Sequence, residues 1–186
     1  MDLEVRRRSS KQMLYISIVS MIMMFAGLTS AYVISRKRED WVSFDMPTAL
    51  YISTALIVLS SIVYFFVKKA IANNNRSLTT VLLIGTILLG LGFVYFQIEG
   101  FSQLREAGLY FTGEGSVVSS SLLVAISFAH LLHVFAGLIT LLVVLVKHLG
   151  GKYNSENTLG IELGGIFWHF VDILWIFLFL FFYFIT

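Results

Sequence analysis

Five stretches of this chain each run for twenty or more predominantly apolar residues, at approximately residues 13–34, 47–67, 78–99, 117–146 and 159–185. About 20 apolar residues wound as a helix cross the ~30 Å hydrocarbon layer of a bilayer. Transmembrane strands are shorter and alternate in polarity, and a helix of a soluble bundle keeps a polar face. These stretches do neither. Composition agrees: 58% of the residues are hydrophobic and 13% charged, against about 45–50% and about 25% in soluble domains. The expectation is an all-α integral membrane protein. A single membrane domain over residues 1–186 would form a bundle of five transmembrane helices, with residues 1–12 as a polar tail.

The connections are short. The second span is bounded by Asp40-Trp41 and Lys68-Lys69, and opens on Pro47, the chain's one proline, where a helix tolerates it. Asn73-Asn74-Asn75-Arg76 reads as a polar turn, and Gly100 to Ser116 as a loop with Gly108, Gly113 and Gly115. Lys147 to Asn157 reads as a polar link that holds His148. The basic residues ahead of the first span imitate a signal peptide, but the span is too long and lacks a small-residue cleavage pattern, so it reads as retained. Tyr15, Tyr32, Trp41, Tyr51 and Tyr110 read as anchors at the membrane interfaces.

Lys and Arg concentrate in cytoplasmic loops. With the N-terminus inside, nine of the 13 basic residues fall on inner segments and four on outer ones. The expectation is a cytoplasmic N-terminus and a periplasmic C-terminus, against the dissent of Arg36-Lys37-Arg38 in the first outer loop. The absence of cysteine excludes disulfides and thiolate metal sites, and a net charge of +2 gives no electrostatic case for a nucleic-acid partner.

The last span contains Trp168-His169-Phe170-Val171-Asp172, with Trp175 beyond. Ionisable groups in an apolar span are costly and face partners inside the protein. Glu162, His169 and Asp172 recur at helical spacing, so they share a broad stripe. His130 and His133 share a face of the fourth span, with Gly137 one turn further on. Counted from the inner ends at ~1.5 Å per residue, His133 and Asp172 both lie roughly 20 Å deep. Spans four and five are therefore expected to pack through His133 and Gly137 against Gly165, His169 and Asp172. Three readings remain open from the residues alone. One is a structural network of His130, His133, Glu162, His169 and Asp172. The second is haem ligation by histidine, to which the shared face of His130 and His133 is poorly suited. The third is a proton path. Gln97 and Glu99, at the outer end of the third span, are weaker candidates, and Glu99 reads first as an interfacial carboxylate.

The fifth span resembles the closing helix of subunit III of the haem–copper terminal oxidases. The resemblance rests on Glu162, Gly164, Trp168-His169-Phe170-Val171-Asp172, Trp175 and the aromatic tail. His130-Leu131-Leu132-His133-Val134 followed by Gly137 is similar to that family's penultimate helix, and Gly90, Gly92, Phe93 and Gln97 to the helix before. The resemblance covers essentially the whole chain, strongly in the last two spans. It implies a helical subunit with no redox cofactor or metal of its own. Its partners would be subunit I, which carries the haems and copper, other respiratory subunits, and phospholipid. It implies a role in the stability and proton uptake of a complex that reduces dioxygen to water and pumps protons. Five spans resemble the short bacterial form, in the plasma membrane. Trp168 and Trp175 would then join Gly137 and Gly165 in helix packing. Two departures stand out. Met21 occupies a place where the family often has a glutamate. Glu99 comes one residue before the position of the family's carboxylate, so it inherits no role. A quinol oxidase, a subunit III-like partner of another respiratory enzyme, and a stand-alone proton or small-solute transporter are the alternatives.

Overall fold

The computed structural model describes residues 3–39, 41–111, 117–155 and 157–185. Asp40, Gly113, Gly115, Ser116 and Thr186 lie outside the described residues, as do residues 1–2 of the expected tail. Every element is a helix: α1 (Leu3–Ser35), α2 (Thr48–Ala72), α3 (Arg76–Glu106), α4 (Val118–Leu149) and α5 (Leu159–Ile185). All five are long and apolar enough to cross a membrane.

The helix ends follow from local chemistry. Pro47, with no amide hydrogen to lose, stands immediately before α2. The tight α2–α3 turn places Asn74 at φ 54°, a left-handed conformation that asparagine tolerates. Asn75 then caps α3, its side chain accepting from the Leu78 amide at 3.1 Å. At the other end of α3, Gly108 takes φ 79° while the Leu109 amide reaches back to the Leu104 carbonyl at 3.0 Å.

Four helices outrun the apolar stretches. α1 begins at Leu3, so most of the expected tail is helix. α2 carries Lys68 and Lys69, and α3 continues to Glu106. The physical reason is that a helix need not stop at the edge of the hydrocarbon. Lys and Arg are good helix formers, and their charges reach water from the protruding turns. His148 is likewise buried in the last turn of α4, not in a loop.

α5 is the hub. It packs on α1, α2 and α4, while α2 and α3 form the most extensive pair and α1 rests on α4 and α5. The largest fully buried side chains include Trp168 and Trp175 of α5 with Tyr32, Tyr64, Phe25 and Phe93 from the other helices. Tyr32 is thus a core residue and not an interfacial anchor. Its ring meets Trp41, Phe181 and Phe182 edge-on at 5.0, 5.6 and 5.4 Å. Phenylalanine, leucine, isoleucine and valine cover much of the exposed surface, as a hydrocarbon solvent permits.

A polar seam between α5 and α2

The functional candidates of α5 are positioned by the indole of Trp168. A methyl group added at Gly90 of α3 would lie 2.8 Å from Trp168 Cη2, and one at Gly137 of α4 would lie 3.0 Å from Trp168 Cε3. The ring therefore fills a slot that two glycines leave on two helices. Its N–H points the third way and donates to Ser60 Oγ of α2 at 2.9 Å. Trp175, two turns further along α5, repeats the device. Its N–H donates to Thr54 Oγ1 at 3.0 Å. Beside the Trp168–Ser60 bond, Ser61 Oγ and His169 Nδ1 stand 2.6 Å apart, and near the N-terminal end of α5 the Tyr64 hydroxyl donates to the Ile161 carbonyl at 2.8 Å. From Ile161 to Trp175 of α5 the partners on α2 run back from Tyr64 to Thr54, as antiparallel helices require. These bonds form a ladder down most of the α2–α5 contact.

This ladder replaces the expected α4–α5 network. Among the described residues, His130, His133, Glu162, His169 and Asp172 make no hydrogen bond with one another. His133 donates from Nδ1 to the Ala129 carbonyl of its own helix at 2.7 Å. Neither oxygen of the buried Asp172 has a hydrogen-bond partner, although the Ser61 hydroxyl lies beside it. The nearest neighbours of Gly165 belong to α2. A methyl there would lie 2.5 Å from Tyr64 Cε1 and 2.8 Å from Lys68 Cε, both of α2. Gly137 does belong to the α4–α5 contact, through Trp168. The reason for the difference is geometric: counting residues fixes depth in the membrane but not which neighbour a side chain turns toward.

His130 is fully buried in an aromatic box. It stacks on Trp175 at 5.2 Å and 30°, with the edges of Phe25 and Phe93 at 6.3 and 6.1 Å. Neither ring nitrogen is hydrogen-bonded. Glu162, in the first turn of α5, turns to α1 instead of to His169. It pairs with Arg7 and with Lys11, the latter at 2.7 Å, and accepts from Thr158 Oγ1 at 2.7 Å. A carboxylate at a helix N-terminus also meets the positive end of the helix dipole. Gln97 is buried and donates to Ser53 Oγ at 3.2 Å, whereas Glu99 is exposed. His148 and Arg76 tie the C-terminal end of α4 to the N-terminal end of α3, each donating to the other's carbonyl, at 3.1 and 3.3 Å.

The α2 hydroxyls at 54, 60, 61 and 64 and the α1 cations at 7 and 11 complete these contacts, and sequence reading passed over all of them. A serine or threonine inside an apolar span has almost no hydropathy signal. Their spacing of six or seven residues, near two helical turns, was the available clue. Where the N-terminal ends of α1 and α5 meet the C-terminal end of α4 lies a pocket of about 660 Å³ lined by Arg6, Arg7, Lys147, Lys152, Tyr153 and Thr158 among others. Burial pushes the Tyr153 phenol above its ordinary range, which keeps it a neutral donor there. Among the described residues no three His, Asp or Glu side chains are grouped to hold a metal.

Fold and seam together define a multi-pass helical membrane protein with a hydrogen-bonded seam between α2 and α5. The sequence model of the family described as cytochrome c oxidase subunit III matches residues 7–186. The chain is 34% identical over 137 residues to cytochrome c oxidase subunit 3 of Petromyzon marinus, covering 74% of this chain and 49% of that one. For the Drosophila melanogaster protein of the same name the figures are 33% over 139 residues, 75% and 51%. For that of Spodoptera frugiperda they are 35% over 129 residues, 69% and 84%. The chain belongs to the cytochrome c oxidase subunit III family. It spans about half the length of the lamprey and fruit-fly relatives.

Proposed function

We propose that this chain is the non-redox accessory subunit of a proton-pumping terminal oxidase that reduces dioxygen to water. In this reading it packs beside the subunit that carries the haems and copper, and it supports that subunit's stability and proton uptake in aerobic electron transport. The family match over residues 7–186 is the observation that carries the proposal. The seam is consistent with it. Trp168, His169 and Trp175 are committed to hydroxyls of α2, and His130 is enclosed by aromatic rings. His130, His133, Glu162, His169 and Asp172 would act by fixing helix packing and not by holding a cofactor.

Phospholipid is the expected ligand. The inner pocket, with Arg6, Arg7, Lys147 and Lys152 at its rim, offers the charge that a lipid phosphate needs. The bacterial plasma membrane is the proposed location, with the N-terminus cytoplasmic, as the nine-to-four distribution of basic residues favours. Whether cytochrome c or a quinol supplies electrons is set by other subunits.

The test is mild-detergent purification through a tag on this chain. Haem- and copper-bearing subunits should accompany it, and the preparation should consume dioxygen. A chain that purifies without haem proteins, yet moves protons or solutes in vesicles, would establish the transporter reading instead.

A further inference from the structure

Three buried polar side chains on α3 and α4 have atoms without a hydrogen-bond partner: Gln97 at Oε1, Ser127 at Oγ and His130 at both ring nitrogens. Phe93 of α3 meets His130 of α4 edge-on at 6.1 Å. The two helices run in opposite directions. Gln97 is one turn outward from Phe93, and Ser127 is about one turn outward from His130, so the three polar groups converge on the same side of that aromatic contact.

Each group is oriented by its neighbours. Ser53 donates its hydroxyl hydrogen to the Leu50 carbonyl at 2.9 Å, so toward Gln97 it can only accept. The Gln97 NH2 therefore faces Ser53, and Oε1 must face the other way, into the bundle. Several serine and threonine hydroxyls in the helices return to a carbonyl three or four residues back, as Thr29, Thr54, Thr86 and Thr140 do. Ser127 does not, and its hydroxyl is directed elsewhere. His130 is clamped against Trp175 with Phe25 and Phe93 at its edges, so its ring cannot swing away to find a partner.

We infer that Gln97, Ser127 and His130 form a binding site for an ordered internal water molecule between α3 and α4. The chemistry is complementary. Gln97 Oε1 accepts only, the serine hydroxyl both donates and accepts, and a neutral imidazole presents one donor and one acceptor. A water has two hydrogens and two lone pairs, and buried waters typically make about three hydrogen bonds to groups of this kind. Inside hydrocarbon the alternative, three polar groups facing apolar atoms, is costly. The site gives Gln97 and His130 a common task, which is to hold α3 against α4 through a shared water. It adjoins the α2–α5 ladder, since His130 stacks on Trp175 and Gln97 bonds Ser53, the neighbour of Thr54.

Two measurements on the intact membrane-embedded protein test this. In an experimental density map that shows waters, a peak should stand about 2.7–3.2 Å from Gln97 Oε1 and from Ser127 Oγ or a His130 nitrogen. Direct bonds among these side chains, or Ser127 turned back to the Leu123 carbonyl, would overturn the inference. In bilayer samples with 15N-histidine, solid-state NMR should show magnetisation passing from water to the His130 ring, reduced several-fold by Gln97→Met. No transfer to His130 in the unsubstituted protein would overturn the inference whether or not the variant folds, and so would transfer unchanged by a folded variant.

Discussion

Gly90→Ala is predicted to destabilise this protein when Trp168 is present and to stabilise it when Trp168 is leucine. The added methyl would stand 2.8 Å from Trp168 Cη2 and 2.8 Å from Leu138 Cδ2. Carbon atoms in good contact stand about 3.5–4.0 Å apart, so the overlap is about 0.7–1.2 Å. Leu138 Cδ2 is the free end of a flexible side chain and can turn aside. The indole cannot, because Gly137 closes its other side and Ser60 holds its N–H. Overpacking of this kind costs about 1–3 kcal/mol. In a Trp168→Leu background the slot is open and Leu138 has room to move. What remains is the intrinsic preference of a helix for alanine over glycine, about 0.5–1 kcal/mol in favour of the variant. The alanine preference acts in both backgrounds, so the two effects differ by the overpacking alone, about 1–3 kcal/mol, and have opposite sign where it exceeds that preference. Equilibrium unfolding in mixed detergent micelles, run on both single variants, the double variant and the parent, reads this coupling directly. If Gly90→Ala costs the same in both backgrounds, the slot does not organise α5 and the reasoning is wrong.

Other expectations follow from the same contacts. Ser61→Ala should cost about 1–2 kcal/mol in the same unfolding measurement, because it leaves His169 Nδ1 without its partner. Ser61→Thr should recover most of that loss. Glu162→Gln should cost no more than about 1 kcal/mol, since the pair with Arg7 and Lys11 is partly exposed. Its clearer effect should be faster amide exchange in the first turns of α1, and parent and variant should converge at high salt. His130→Gln should leave the haem spectrum of the purified complex unchanged while lowering stability; loss of a haem band would reinstate the ligand reading.

How much of this was legible in the sequence depended on whether the signal was local. Span length and hydropathy are properties of consecutive residues, and the five helices follow from them. The extension of α1 back to Leu3 does not, because Arg6 to Lys11 are polar, and only their helical propensity argues for continuing the turn. His169 and Asp172 were visible as ionisable residues in an apolar run, but their surroundings were not. Ser61 sits more than a hundred positions away on α2, and hydroxyls leave little trace in an apolar segment. Depth counting placed His133 level with Asp172, yet His133 turns to its own helix at Ala129. Gly137 stands against Trp168 of α5, whereas the nearest side chains at Gly165 are Tyr64 and Lys68 of α2. A glycine shows that something comes near without showing which helix it is. Tyr32 passed for an interfacial anchor because α5, whose Phe181 and Phe182 enclose it, lies far along the chain.

The central claim is that this chain's buried histidines and carboxylates hold helices together while the redox chemistry belongs to partner subunits. The most direct test is to purify the complex through this chain, separate the chain under mild conditions, and record reduced-minus-oxidised spectra of both fractions with a metal analysis. The account predicts all haem and copper in the remaining complex and none with this chain. Haem or copper that stays with this chain after separation would contradict it.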